Sequence, residues 1–248
     1  MPLYRDEAVV LRTFPLGEAD RIIVLLTKRH GKVRAVAKGV RRLKSRFGGR
    51  LEPLMRVDLL LAQGKSLDVI SQAVSIAAYA GEICADYTSY EYANVMLEVV
   101  DLLVSNEYTD EYRREYQDTL GQYRLLTAAL LSLSKHKHSP NAIGMSYILR
   151  ALSLAGWSPR LQACVVCGKN EDLCYFSPCA GGMMCASDHT PDSIVCANST
   201  RLQLCALAQG NWSVLDGVSV DSSTMRCVQQ WAEYYLERPI RSMGLLHS

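Results

Sequence analysis

The sequence predicts an α+β chain of more than one domain: a small β-barrel at the amino terminus, a helical bundle that fills the middle and the carboxy-terminal end, and a cysteine-rich insert between two of the helices. Three observations carry this. Short β-branched runs separated by glycines occupy the first eighty residues, an i, i+3, i+4, i+7 apolar stripe replaces them from about Glu82, and six of the nine cysteines crowd between Cys164 and Cys196. The divisions follow these changes of pattern: 1–80 the barrel, 81–160 helical, 161–197 the insert, and 198–248 helices that complete the helical part.

The strands are read at Ala8–Leu11, Arg21–Thr27, Lys32–Lys38, Val57–Ala62 and Leu67–Ala77, with turns at Gly17, Gly31, Gly39, Gly48, Gly49 and Gly64. Five short strands in so little chain suit a closed barrel such as an OB-fold better than a sandwich. The helical stripes follow at Tyr92, Val95, Met96, Val99, Leu102 and Leu103, and then at Tyr116, Leu120, Tyr123, Leu126, Leu130 and Leu133. Pro140 marks the start of a third helix, which reaches Leu154 before Gly156-Trp157-Ser158-Pro159. Two more helices, Ser199–Gln209 and Ser222–Glu237, follow capping-type residues. No apolar run approaches the roughly 18 residues that cross a bilayer, and the charged start, Met1 to Glu7, lacks the apolar core of a signal peptide; a cytoplasmic, membrane-free protein is expected. An odd number of cysteines without such a signal argues for reduced thiols and a metal site rather than a disulfide framework.

A formal net charge of +2 conceals two halves of opposite sign. Met1–Ala80 holds 15 Lys/Arg against 7 Asp/Glu, and the remainder 12 against 18. The excess is concentrated between Lys28 and Leu51, with ten cations and no acid: Lys28, Arg29, Lys32, Arg34, Lys38, Arg41, Arg42, Lys44, Arg46 and Arg50. Strand alternation sets Lys32, Arg34 and Lys38 on one face, with Val33, Ala35 and Ala37 turned to the core. The loop from Gly39 to Gly49 then offers Arg41, Arg42, Lys44 and Arg46 to a polyanion, which would relieve the repulsion among them. The bland alternative is a solvated loop. Aromatic residues are few here, so binding should be driven by the phosphate backbone and tolerant of sequence, and charge alone does not separate DNA from RNA. Phe47 is the best stacking candidate, with burial in the barrel core as the equal alternative.

Cys164-Val-Val-Cys167-Gly168 has the CxxCG form of a zinc knuckle, and Cys185 follows Cys167 after seventeen residues, a separation normal for a zinc ribbon. Three residues can complete the set. His189, in a CxxxH spacing, is preferred; Asp188, three places after Cys185, comes next, and Cys179 last. Four protein ligands would close the shell, so the zinc would be structural. A degenerate ribbon without metal is the alternative, and Cys174 and Cys196 read as small apolar fillers. No GxSxG elbow, P-loop or paired-carboxylate signature appears, which argues against an enzyme.

The segment GEADRIIVLLTKRHGKVRAVAKGVRRLKSRFGGRLEPL, Gly17 to Leu54, closely resembles the amino-terminal domain of the bacterial RecO family of recombination mediators. The order of domains, the FSxxxGGxxC core of the insert (Phe176, Ser177, Gly181, Gly182, Cys185) and the closing YLERPIRS extend the likeness over nearly the whole chain. The resemblance implies binding to single- and double-stranded DNA through Lys38, Arg41, Arg42, Lys44, Arg46 and Arg50, and strand annealing. It also implies contact with the acidic tail of single-stranded-DNA-binding protein and, with RecR, help to RecA in displacing that protein. Where the family pattern has a fourth cysteine, this sequence has Asp188. Arg124 and Arg150, on the helices, are candidates to receive the acidic tail, against the plainer reading of intramolecular ion pairs. A zinc-ribbon RNA-binding or transcription-associated module and a pure protein scaffold are the competing functions.

Overall fold

The computed structural model describes residues 2–104 and 119–247. Five strands close into a barrel in the order β1-β2-β3-β5-β4: β1 Leu3–Leu16, β2 Asp20–Thr27, β3 Lys32–Ala37, β4 Met55–Ala62 and β5 Asp68–Ala78. All pairs are antiparallel except β3 with β5, which run parallel through Ala35–Asp68 and Val36–Val69. Alternation fills the interior, where Val10, Ile23, Leu25, Val33, Ala35, Leu59, Leu61 and Ile70 form one buried cluster.

β1 begins five residues earlier than the alternation of Ala8–Leu11 suggests, because its charged residues find partners across the barrel. Arg5 lies 2.6 Å from Asp58 on β4. Asp6, whose side chain is fully buried, accepts a hydrogen bond from the Arg29 amide at 3.1 Å and lies 2.6 Å from His30 Nδ1. Glu7 meets Arg56. A charged tripeptide reads as loop in sequence, and distant partners make it strand.

Seven helices follow: α1 Ala80–Ile83, α2 Tyr87–Leu103, α3 Thr119–Ser134, α4 Pro140–Leu154, α5 Asn198–Gln209, α6 Trp212–Leu215 and α7 Ser222–Leu236. Tyr116, expected in the second long helix, lies outside the described residues. Asp86 caps α2 by accepting from the Ser89 amide at 2.8 Å, and Asp221 caps α7 by accepting from Thr224 at 2.6 Å. Helices α2 and α4 cross at Gly144, where an added Cβ would stand 2.2 Å from the Tyr92 ring, so only glycine permits the approach. Between α4 and α5 the insert carries a three-stranded sheet, β7-β6-β8, from β6 Leu173–Ser177, β7 Gly182–Cys185 and β8 Ile194–Val195. Trp231 of α7 is 1% exposed, packs on Phe176 with ring centroids 5.7 Å apart, and donates Nε1–H to the Trp157 carbonyl at 3.3 Å, fastening insert to bundle.

The outward residues Val9, Leu11, Val24 and Leu26 of β1 and β2 belong to the same buried cluster as the helices. Two charged networks border this seam. Glu7 accepts from the Tyr123 hydroxyl at 2.6 Å and from Arg56, and lies 3.3 Å from Lys28 Nζ; Asp101 of α2 receives Arg12 at 2.8 Å and Lys32 at 3.1 Å.

Candidate nucleic-acid interface, metal centre and helical cavity

The segment between β3 and β4 emerges at the barrel end that also carries the β1–β2 turn. Gly39 takes φ +67°, a left-handed conformation that favours glycine, and its amide donates to Asp20 at 2.7 Å. The Arg41 amide donates to the Ala19 carbonyl at 3.0 Å and its guanidinium to the Gly17 carbonyl at 3.2 Å, so the two loops are held together. A short 3₁₀ turn, Gly48–Leu51, buries Leu51 and returns the chain to β4.

Arg34, Lys38, Arg41, Arg42, Lys44, Arg46 and Arg50 are all exposed. Among the described residues none of the seven lies within ion-pair distance of a carboxylate. Arg41 and Arg50 bond only backbone carbonyls, those of Gly17 and of Arg46 and Phe47, which leaves their charge uncompensated. The result is a one-signed rim at the barrel mouth, which attracts phosphates and makes any complex sensitive to salt.

Two expected members of this surface are elsewhere. Lys32 is 8% exposed and its ammonium donates to the Asp101 carboxylate and carbonyl, against α2. Burial lowers its pKa, opposed by Asp101. Phe47 is 1% exposed, inside the barrel cluster, and only Arg46, with its guanidinium 4.8 Å from the ring centroid, covers it from outside. Phe47 is thus a core residue and not a stacking platform. Both corrections share one cause. The outward face of β1 and β2, which alternation marks as surface, lies under α2 and its neighbours, so the available cations are those of the loop and of Arg34 and Lys38 beside it.

In the insert, Cys164, Cys167, Cys185 and Asp188 bring one ligand atom each to within 4.8 Å of one another. Cys167 and Cys185 sulfurs stand 3.8 Å apart, and Asp188 lies 3.7 Å from Cys164 and 3.1 Å from Cys185. A tetrahedral zinc with Zn–S of about 2.3 Å requires S···S of about 3.8 Å, so the four residues fit that ion. Burial pushes the Cys164 thiol up, but the amides of Cys167, Cys185 and Val166 more than offset this and hold it at about 7, close to the thiolate a metal needs. His189 does not join. Its ring stacks on Tyr175 at 4.0 Å, and its Nδ1 lies 2.8 Å from the Ala186 carbonyl, so the preferred fourth ligand of the sequence gives way to Asp188. The tight turn after Cys185, closed by the Asp188 amide on the Cys185 carbonyl at 3.3 Å, turns the third residue inward and the fourth away. Cys179 is exposed and outside the cluster.

A third feature lies on the helical bundle. Helices α3, α4 and α6 enclose a cavity of about 750 Å³ with apolar walls that include Leu125, Ala129 and Ile143, and with Arg124, Lys137 and Arg150 among its lining. Arg124 and Arg150 are in no described ion pair, contrary to the plainer reading of their charge. Arg150 packs over Gly210, where an added Cβ would meet its Nη1 at 2.9 Å. At the edge, His138 stacks on Trp212 at 4.1 Å and lies 2.6 Å from Asp216. Tyr147, also in the lining, keeps a buried hydroxyl with no described hydrogen-bond partner. The cations were visible in sequence; that they converge on one apolar cavity was not. No described helix is long and apolar enough to cross a membrane.

A family model described as recombination protein O N terminal matches residues 1–79, and one described as recombination protein O C terminal matches residues 84–244. The chain is 58% identical to a DNA repair protein RecO of Bifidobacterium adolescentis, over 99% of this chain and 100% of the relative. It is 42% identical to the protein of that name from a Nocardioides species, over 98% of each, and 39% identical to that of Thermobifida fusca, over 99% of each.

Proposed function

The chain belongs to the recombination protein O family, and from that membership we propose that it is a non-enzymatic recombination mediator that binds and anneals single-stranded DNA. The observation that carries this reading is the rim of seven exposed cations with no carboxylate within ion-pair distance. Such a rim neutralises phosphates of either one strand or a duplex, and two complementary strands held with their repulsion screened can pair. The barrel, 1–80, with its OB-type strand order, acts as the DNA-binding domain. Helices from 81–160 and 198–248 form the body that receives protein partners, and 161–197 is a zinc-ribbon-like insert.

Cys164, Cys167, Cys185 and Asp188 would hold one zinc ion, which supplies a structural cross-link within the insert. Four protein ligands leave no position for a reacting water, consistent with a non-catalytic role.

The cavity on the helices suits the acidic, aromatic-ended tail of single-stranded-DNA-binding protein: apolar walls for the ring, and Arg124, Lys137 and Arg150 for the carboxylates. With DNA on the barrel and this tail on the bundle, the protein would act at DNA coated by that partner and, together with RecR, assist RecA loading. Work in the cytoplasm, at the nucleoid, follows from this role. The test is annealing of complementary oligonucleotides with and without the cognate single-stranded-DNA-binding protein. The proposal expects annealing in both, with the coated reaction abolished in Arg124→Ala/Arg150→Ala. No annealing of bare strands, or stronger binding to a structured RNA than to single-stranded DNA, would defeat it.

A further inference from the structure

We propose that Leu43, at the tip of the basic loop, is an apolar contact for unstacked bases and gives the loop its preference for single-stranded over double-stranded DNA. This rests on the loop being the DNA-binding surface. Leu43 is 108% exposed, and the next most exposed large apolar side chain described, Val195, stands at 70%. Two turns present it: the Arg42 amide donates to the Gly39 carbonyl at 3.2 Å and the Ser45 amide to the Arg42 carbonyl at 2.9 Å. Leu43 therefore occupies a corner of the turn Arg42-Leu43-Lys44-Ser45, where short polar residues or proline would serve solvent better. It packs against nothing in the fold, yet it is flanked on both sides by exposed Arg41, Arg42, Lys44 and Arg46.

The neighbouring aromatic cannot serve the bases, since Phe47 is inside the barrel under the Arg46 guanidinium. Cations at the rim bind phosphates of one strand or two with little distinction. Once they hold the backbone, the residue between them faces whatever lies next to the phosphates. On a single strand that is an unpaired base, whose apolar face a leucine can cover; on a duplex the bases are stacked on one another, and contact requires a costly opening of the step.

Three labelled probes of equal length, an oligo(dT), an oligomer of abasic sites and a duplex, separate these effects by anisotropy titration at one salt concentration. Wild type is expected to bind oligo(dT) more tightly than the abasic oligomer. Leu43→Ser is expected to lose about fivefold on oligo(dT) and to change less than about twofold on the abasic and duplex probes, while Leu43→Phe widens the margin for oligo(dT). Because the side chain is wholly exposed, neither variant alters the core, and unchanged thermal unfolding checks this. Equal losses on all three probes, or none on oligo(dT), would overturn the assignment. Failure of the underlying reading looks different: Arg41/Arg42/Lys44/Arg46→Ala would then retain wild-type affinity for every probe, and the Leu43 proposal would fall with it.

Discussion

Replacing Arg41, Arg42, Lys44 and Arg46 together by alanine removes four exposed cations, none of which holds a carboxylate among the described residues. On single strands each neutralised phosphate adds about 0.7 to the slope of log affinity against log salt. If all four meet phosphates, the variant's slope is shallower by about 2.8, and between about 50 and 200 mM salt the wild type loses about 50-fold more affinity than the variant. Anisotropy titrations of a labelled oligonucleotide across that range measure both quantities. The fold should tolerate the change, since the side chains are on the surface and only Arg46, over the Phe47 ring, contributes packing, about 0.5–1 kcal/mol. Lys32→Met is the matched control. It deletes a cation from the same sequence run, but one whose charge already faces Asp101, so affinity and slope should remain those of wild type. A slope within about 0.5 of wild type in the quadruple variant, or a drop for Lys32→Met equal to that of a loop residue, would refute the division of the run into rim and seam.

Phe47→Ala should cost about 3–5 kcal/mol in chemical denaturation, as for a core phenylalanine, whereas a stacking residue would lose DNA affinity with stability intact. Zinc measured by mass spectrometry should be lost in Cys164→Ser and Asp188→Ala and kept in His189→Ala; retention in Asp188→Ala would return the fourth position to another residue. Chelation of the metal should lower the thermal midpoint, because ligand binding energy is part of the insert's folding energy. Glu7 is held below its ordinary pKa: burial raises it, and the bonds from Tyr123, Arg56 and Lys28 outweigh that. A depressed native pKa contributes stability that is complete above the unfolded value of 4.5 and disappears as pH falls through the native value. Glu7→Gln should therefore cost about 2 kcal/mol at neutral pH, and the gap to wild type should close in acid; a pH-independent gap would exclude the charged network as its source.

Much of the architecture was legible from local pattern. Pro140 opens α4, and the helix ends at Leu154 as the Gly156–Pro159 stop implies. The five barrel strands also follow their alternation, with the largest error at β1, where Arg5, Asp6 and Glu7 are strand residues only because Asp58, the 28–30 turn and Arg56 answer them from elsewhere. The CxxCG turn and Cys185 identified three of the four metal-cluster residues, because the spacing of ligands in a knuckle is a local property.

Composition and periodicity determined by themselves that a β segment carries a band of cations and that helices follow it, since both depend on neighbours in the chain. The tertiary structure alone decided which of those cations remain available. Lys32 and Arg34 alternate identically, yet Asp101 of α2, 69 positions away, covers the first and leaves the second exposed. Phe47 and Leu43 are four residues apart in the same loop, and one fills the barrel while the other stands in solvent. Asp188 and His189 are adjacent, and the direction of one turn separates the metal cluster from a ring stack. In each case the deciding quantity is the contact a side chain makes with a remote part of the fold, and that contact comes into being only when the barrel, the bundle and the insert have packed together.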